Sequence, residues 1–195
     1  MSKRRLIVGM TGASGVIYGI RTLEVLREVE YIETHLVLSN AARQTIAVET
    51  DYDVRDVEGL ADEVYGIGQI AAPISSGSFA TVGMAIVPCS MKTLAGVAYS
   101  LSENLLLRAA DVVLKDRRRL VLMTRETPLH LGHLRAMVQA TEMGAVVMPA
   151  MPAFYHRPQT VDEIVNQGVN RLLDLLDVEL PEDLFERWQG PTPRR

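Results

Sequence analysis

A single cysteine, Cys89, stands in a chain of 195 residues. It has no partner for an intramolecular disulfide and cannot build a thiolate zinc cluster. That scarcity suits a reducing compartment. Long apolar runs are also missing: a membrane span needs roughly 18 consecutive apolar residues, and nothing here approaches that. The opening MSKRRLIVGM sets basic residues before apolar ones, but the apolar part is too short for a signal sequence and leads into glycines. Charge of one sign is lacking as well. The net charge of −4 gives no reason to expect nucleic acid or an anionic membrane as partner. The basic cluster KDRRR (115–119) reads as a solvated helix end. The expectation is a soluble cytoplasmic protein, one domain over 1–195 with a C-terminal tail from about 178.

What is present is a core and an alternation. Hydrophobic residues make up 48% of the chain, enough for a sizeable interior. Short apolar runs at 5–10, 82–90, 119–124 and 145–149 read as strands, and IETHLVLS (32–39) alternates into another. Helical spacing falls between them, over 15–30, from Asn40 as N-cap to Glu49, near 91–100, over 103–116 and over 130–144. A last helix is expected over 161–177, then a partly helical and finally disordered tail. DYDVRD (51–56) reads as a turn and helix start. Gly144 is placed to close its helix in the left-handed conformation. Nearly all-apolar strands alternating with helices predict an α/β fold, a doubly wound, mostly parallel sheet of Rossmann or flavodoxin-like type with helices on both faces. Ligands in such sheets bind beyond the carboxyl ends of the strands. The segments to watch therefore begin at Gly9, Ser39, Pro88, Thr124 and Pro149.

The first of these holds Gly9, Gly12 and Gly15. Their spacing is G-x-x-G-x-x-G, so the dinucleotide fingerprint G-x-G-x-x-G is not met. A strand–glycine–helix junction still aims N–H groups and a positive dipole end at an anion; the alternative is a tight turn with no ligand. Nicotinamide folds usually place an acidic residue at the end of the second strand, where this chain reads LVLSN (36–40). Ser39 and Asn40 suit a ligand with one phosphate and a polyol, and a mononucleotide such as FMN fits. Ser39 and Ser90 are equally natural as helix caps.

Eight motifs then follow in order: MTGASG (10–15), ETD (49–51), SSGS (75–78), PCSMKT (88–93), NLLLRAADVVLK (104–115), VLMTRETP (121–128), GAVVMP (144–149) and FYHRPQ (154–159). Together they closely resemble the UbiX-type flavin prenyltransferases, and the likeness runs to LPEDLFERW (180–188). The resemblance implies that reduced FMN is alkylated at N5 by dimethylallyl phosphate, that the allyl group closes onto C6, and that the prenylated FMN serves a UbiD-type decarboxylase, as in ubiquinone biosynthesis. It also implies a homododecamer with the flavin site near subunit boundaries, and no metal.

By residue, the resemblance names Gly12, Ala13, Ser14, Ser39, Ser90, Met91, Lys92, Thr93 and Arg125 as FMN contacts. It names Lys115, Arg125, Glu126, Tyr155 and Arg171 for the prenyl phosphate. Ser14, Glu49, Glu126, Lys115 and Arg108 are implied in catalysis. No D-D-x-x-D motif for magnesium occurs, so protein cations must stabilise the leaving phosphate. Glu49, at a helix end where a carboxylate opposes the dipole, is assigned to removing the C6 proton, and Ser14 to a proton relay near N5. Glu126 is assigned to proton transfer or phosphate handling.

Plainer readings stand beside these. Arg171 also suits an arginine lying over the core, and Tyr155 a half-buried tyrosine. His130 and His133 share a helix face without a third metal ligand. Cys89 has no His/Asp pair to activate it, and Trp188 covers a site or a neighbouring subunit. Two other functions are carried forward. One is an FMN-dependent decarboxylase of the cysteinyl or aromatic-acid type; the cysteinyl enzymes have asparagine where Lys92 stands. The other is a carrier that delivers FMN unaltered.

Overall fold

The computed structural model describes residues 3–190. Six strands form one sheet: β1 (Arg4–Met10), β2 (Ile32–Leu38), β3 (Glu63–Gly66), β4 (Gly83–Cys89), β5 (Arg119–Thr124) and β6 (Val146–Val147). Their order is β3-β2-β1-β4-β5-β6, and every pairing is parallel. The chain winds outward from β1 to β3, then returns to the other side of β1 and winds outward to β6. That reversal leaves a crevice between the loops after β1 and β4, where ligands of doubly wound sheets bind.

The central strands β1, β4 and β5 are buried on both faces along most of their length, which is why they read as continuous apolar runs rather than alternating ones. One face carries α1 (Val16–Arg27) and α7 (Val161–Leu175), with Ile20, Leu23, Val169 and Leu172 fully buried against Val8, Met10 and Val121. The other carries α4 (Met91–Ala98), α5 (Leu105–Lys115) and α6 (Leu131–Glu142), whose Leu94, Ala109, Ala110 and Ala140 cover Ile7, Ile86 and Leu122. The short helices α2 (Asn40–Glu49) and α3 (Val54–Glu58) follow β2.

Several sequence-based expectations shift. The α2 cap is Ser39, not Asn40: the Ser39 Oγ accepts from the Ala42 N–H at 3.0 Å, and Asn40 is already helical. β3 was not expected. It is a four-residue edge strand whose residues are mostly exposed, so neither burial nor length marks it in the sequence. β6 shortens to two residues. Gly144 does close its helix, with φ of +104°. The tail contains no helix among its described residues. It lies along α7 instead, where the Leu184 N–H donates to Asn170 Oδ1 at 2.7 Å and Arg187 bonds both Asp174 and Asp183. The expected disorder falls partly on 191–195, outside the described residues. No described helix is long and apolar enough to cross a membrane.

Candidate active site

The carboxyl end of β1 runs straight into the glycine turn. A Cβ on Gly12 would lie 2.4 Å from the Ala41 Cβ, so only glycine lets this turn close against the start of α2. Gly15 has φ of +96°, a left-handed conformation in which a side chain is strained. The last N–H groups of the turn already have an anionic partner within the chain. Gly15 N and Val16 N donate to Glu49 Oε2 at 2.7 and 3.3 Å. The anion at the head of α1 is thus a carboxylate of the same chain, brought from 34 residues away by the β1–α1–β2–α2 winding. The unfavourable place of Glu49 at the end of α2 is offset by the positive end of α1. Partial burial alone would raise the Glu49 pKa. Bonds from Ser14, Gly15 and Val16 and the charge of Arg125 outweigh it, holding the carboxyl below its usual range.

Beside this turn lies a cavity of about 740 Å³. One wall is Thr11 and Gly12, another the start of α2 at Ser39, Asn40 and Ala41, and a third the start of α4 at Ser90, Lys92 and Thr93. Ile67, Gly96, Tyr99, Leu101, Leu106 and Leu107 complete an apolar side. Ser90 caps α4: its Oγ accepts from the Thr93 N–H at 3.3 Å and donates to Thr93 Oγ1 at 3.1 Å. Lys92 is largely exposed at the rim, 3.9 Å from Glu103. An anionic, polyol-bearing, flat ligand matches two helix N-termini, three hydroxyls, a cation and an apolar wall.

Of the nine flavin contacts named from the sequence, Gly12, Ser39, Ser90, Lys92 and Thr93 line this cavity. Ala13 is buried, Met91 packs on the core beneath α4, and Ser14 touches Glu49. Thr11, Tyr99, Glu103 and Asn104 line it without having been nominated. Thr11 was within reach, because it sits inside the quoted MTGASG.

The expected phosphate-handling residues are more dispersed. Arg125 follows β5, with its N–H donating to the Cys89 carbonyl at 3.3 Å and its charge felt at Glu49. Its Nε is buried without a partner. Glu126 is exposed and accepts from the Thr127 N–H at 3.0 Å. Tyr155 meets His156, Phe185 and Trp188 edge-on at 5.5, 6.4 and 5.8 Å. Arg171 pairs with Asp174 at 2.8 Å. Arg108 pairs with Asp111 at 2.9 Å and donates to the Ser75 carbonyl. Lys115 ends α5, about 15 Å along the helix from Leu105 at about 1.5 Å per residue, and pairs with Asp116. It lies toward the amino ends of the strands, so one chain does not bring it to the cavity.

The remaining candidates resolve simply. His130 caps α6, with Nδ1 accepting from the Gly132 and His133 N–H groups, and its ring stacks on His133 at 3.6 Å. Cys89 is fully buried, and burial pushes its thiol far above the usual range, which suits a small core residue rather than a nucleophile.

The sequence matches the family described as Flavoprotein over residues 1–173. It is 64% identical over 187 residues to "Flavin prenyltransferase UbiX" of Escherichia coli K12, covering 96% of this chain and 99% of that protein. The chain belongs to the UbiX flavin prenyltransferases. A solved UbiX structure, AnUbiX (PadA1) in complex with FMN and dimethylallyl pyrophosphate, superposes with a TM-score of 0.93 at 49% identity, covering 97% of this chain and all of that one. A dodecameric FMN-dependent UbiX-like decarboxylase of E. coli O157:H7 superposes at 0.91 with 51% identity, covering 96% and 100%. Within this UbiX member, the buried side-chain nitrogen and oxygen atoms left without a partner among the described residues are Thr124 Oγ1, Arg125 Nε, His133 Nδ1 and both ring nitrogens of His156. Thr124, Arg125 and His133 belong to the segment that ends β5 and opens α6, and His156 to the loop after β6.

Proposed function

We propose that this protein transfers a dimethylallyl group from a dimethylallyl phosphate ester to reduced FMN, without a metal. The observation that carries the reading is the cavity between the glycine turn and the starts of α2 and α4, joined through Glu49 to Arg125. FMN fits what is present: Gly12 admits a close backbone approach, Ser39, Ser90 and Thr93 offer hydroxyls to phosphate and ribityl groups, and Lys92 offers a charge. When bound, the reduced flavin supplies the nucleophilic ring that accepts the prenyl group.

The chain's own residues do the rest. Arg125, beyond β5 and electrostatically coupled to Glu49, holds the ester's phosphate and neutralises it as it leaves. Tyr155 and Arg171 assist from the β6 side. Glu49 is ionised at neutral pH because three donors and Arg125 stabilise its charge, so it is ready to accept a ring proton. Ser14, bonded to it, orients that carboxylate. Glu126 manages the phosphate proton. Arg108 and Lys115 are not among the residues that line the cavity of their own chain, so a role for them comes from a second copy. The exposed Leu131, Leu134 and Val138 on α6 give such a copy an apolar face. The assembly we propose is a dodecamer in the cytoplasm, passing its product to a UbiD-type decarboxylase.

The test mixes pure protein with reduced FMN and dimethylallyl monophosphate or diphosphate under chelator, followed by mass analysis of the extracted flavin. A gain of one five-carbon unit is expected, and the faster ester identifies the donor. Unchanged FMN refutes transfer and favours the carrier reading. Glu49→Gln should release no finished product at the wild-type rate; if it does, the proton role is wrong.

A further inference from the structure

We infer that Thr11 is a positioning residue for flavin binding: its hydroxyl fixes the glycine turn and the start of α4 at one separation, so that the two walls meet a single ligand. The inference rests on the flavin reading and concerns the same cavity.

Thr11 is 2% exposed, yet its hydroxyl is fully used. It donates to the Pro88 carbonyl at 2.8 Å and accepts from the Ser90 N–H at 2.8 Å. The Thr11 N–H also reaches the Pro88 carbonyl, at 3.1 Å. Three bonds thus tie the residue after β1 to the two residues that bracket the end of β4. Thr11 is the partner of the Ser90 N–H. The Ser90 Oγ faces the other way and caps α4, as acceptor from the Thr93 N–H and donor to the Thr93 hydroxyl, so Ser90 links Thr11 to the first turn of α4. On the other side, Gly12 presses on Ala41, and the Ser39 N–H donates to the Met10 carbonyl at 3.0 Å. One short segment, Met10–Gly12, therefore locates the starts of both α2 and α4.

Those two helix starts carry Ser39, Ser90, Lys92 and Thr93. A ligand that spans them binds well only if their spacing is set beforehand, because ordering a loose wall subtracts from affinity. Valine at position 11 keeps the shape and deletes both hydroxyl bonds. The Ser90 N–H is then left without a partner in the cavity wall, where water competes for it.

The experiment titrates FMN into wild type, Thr11→Val, Thr11→Ala and Thr11→Ser, following flavin fluorescence quenching for Kd and stoichiometry, with Tm measured alongside. A weakening of about tenfold is expected for the valine and alanine variants, at unchanged stoichiometry. Serine, which keeps the hydroxyl, should return Kd to within about twofold of wild type. Alanine supplies the answer if the valine variant does not fold. A purely structural role would lower Tm and the fraction of chains that bind, with Kd unchanged; that result overturns the inference. So does wild-type affinity in the valine and alanine variants, or a serine variant as weak as valine. If wild type itself fails to bind FMN, the flavin reading falls too. If wild type binds and only the substitutions are silent, the inference falls alone.

Discussion

Two buried threonines end neighbouring parts of the same sheet and differ in one respect. Thr11, after β1, is 2% exposed and has both donor and acceptor satisfied within the chain. Thr124, the last residue of β5, is 1% exposed, and its hydroxyl has no partner. The contrast extends outward from each. Around Thr11, the helix starts are capped by Ser39 and Ser90 and the α1 N-terminus is filled by Glu49. In the segments that follow β5 and β6, the guanidinium of Arg125 and the rings of His133 and His156 also keep buried nitrogens unpaired. Buried polar groups are ordinarily hydrogen-bonded. The chain therefore finishes the β1–β4 wall by itself and leaves polar capacity at the β5–β6 edge for groups it does not supply.

The sharpest break of this comparison is Arg125→Met. If the β5 edge serves the leaving phosphate and the β1–β4 wall serves the flavin, single-turnover prenyl transfer should fall by about a hundredfold or more, the scale of losing a preorganised charge partner. FMN Kd should move by less than about tenfold. The reverse pattern would place Arg125 with the cradle. Next in size is Gly12→Ala. The added methyl meets Ala41 at 2.4 Å, so backbone must shift, at a cost of about 1–3 kcal/mol. FMN affinity should fall by more than about tenfold, while prenyl-ester binding, measured on its own, changes little. Equal loss of both would mean that the two regions are mechanically one.

Most of this architecture could be read from the chain, but unevenly. The runs RLIVGM, VGMAIVPC and RLVLMT announced buried parallel strands because burial on both faces erases polar alternation. EVYG could not, since a short exposed edge strand has neither run nor period. The tail's apolar residues, such as Leu184 and Phe185, looked helical but lie in an irregular, bent segment tied down by Asn170 and Arg187. At the cavity, Ser90 and Thr93 were named through the family resemblance, whereas Gly12 and Ser39 were legible because each stands at a strand–helix junction. The Glu49 clamp was not, because its partners are distant in sequence and meet only through the winding of β1 and β2. Local pattern also could not place Lys115. Its motif is contiguous with Asn104, which lines the cavity, but the helix between them carries it to the far edge.

Glu49 supplies a smaller, pH-dependent test. Its folded pKa is below the ordinary value of 4.5. The clamp on Gly15 and Val16 therefore contributes stability above that pH and loses it as pH falls through the folded value. Thermal unfolding of wild type and Glu49→Gln, compared from pH 7 to pH 3, should show a Tm gap of a few degrees that closes toward acid. A gap that stays constant would mean that the carboxylate's charge does not hold the turn, and the β1–β4 wall would then be less self-sufficient than its bonds indicate.

The smallest expected effect belongs to Thr124→Val. Where Thr11→Val removes two bonds, this substitution removes none, because the Thr124 backbone keeps its pairing with Met148 and Ala150 and only the hydroxyl changes. Exchanging an unpaired buried hydroxyl for a methyl of the same shape should leave stability unchanged or raise it by up to about 1 kcal/mol. Denaturant unfolding of the ligand-free protein reads this directly. A loss of about 2 kcal/mol would instead reveal a hydrogen-bonded Thr124 hydroxyl. The two threonines would then be alike, and the β5 edge would be as complete as the β1–β4 wall.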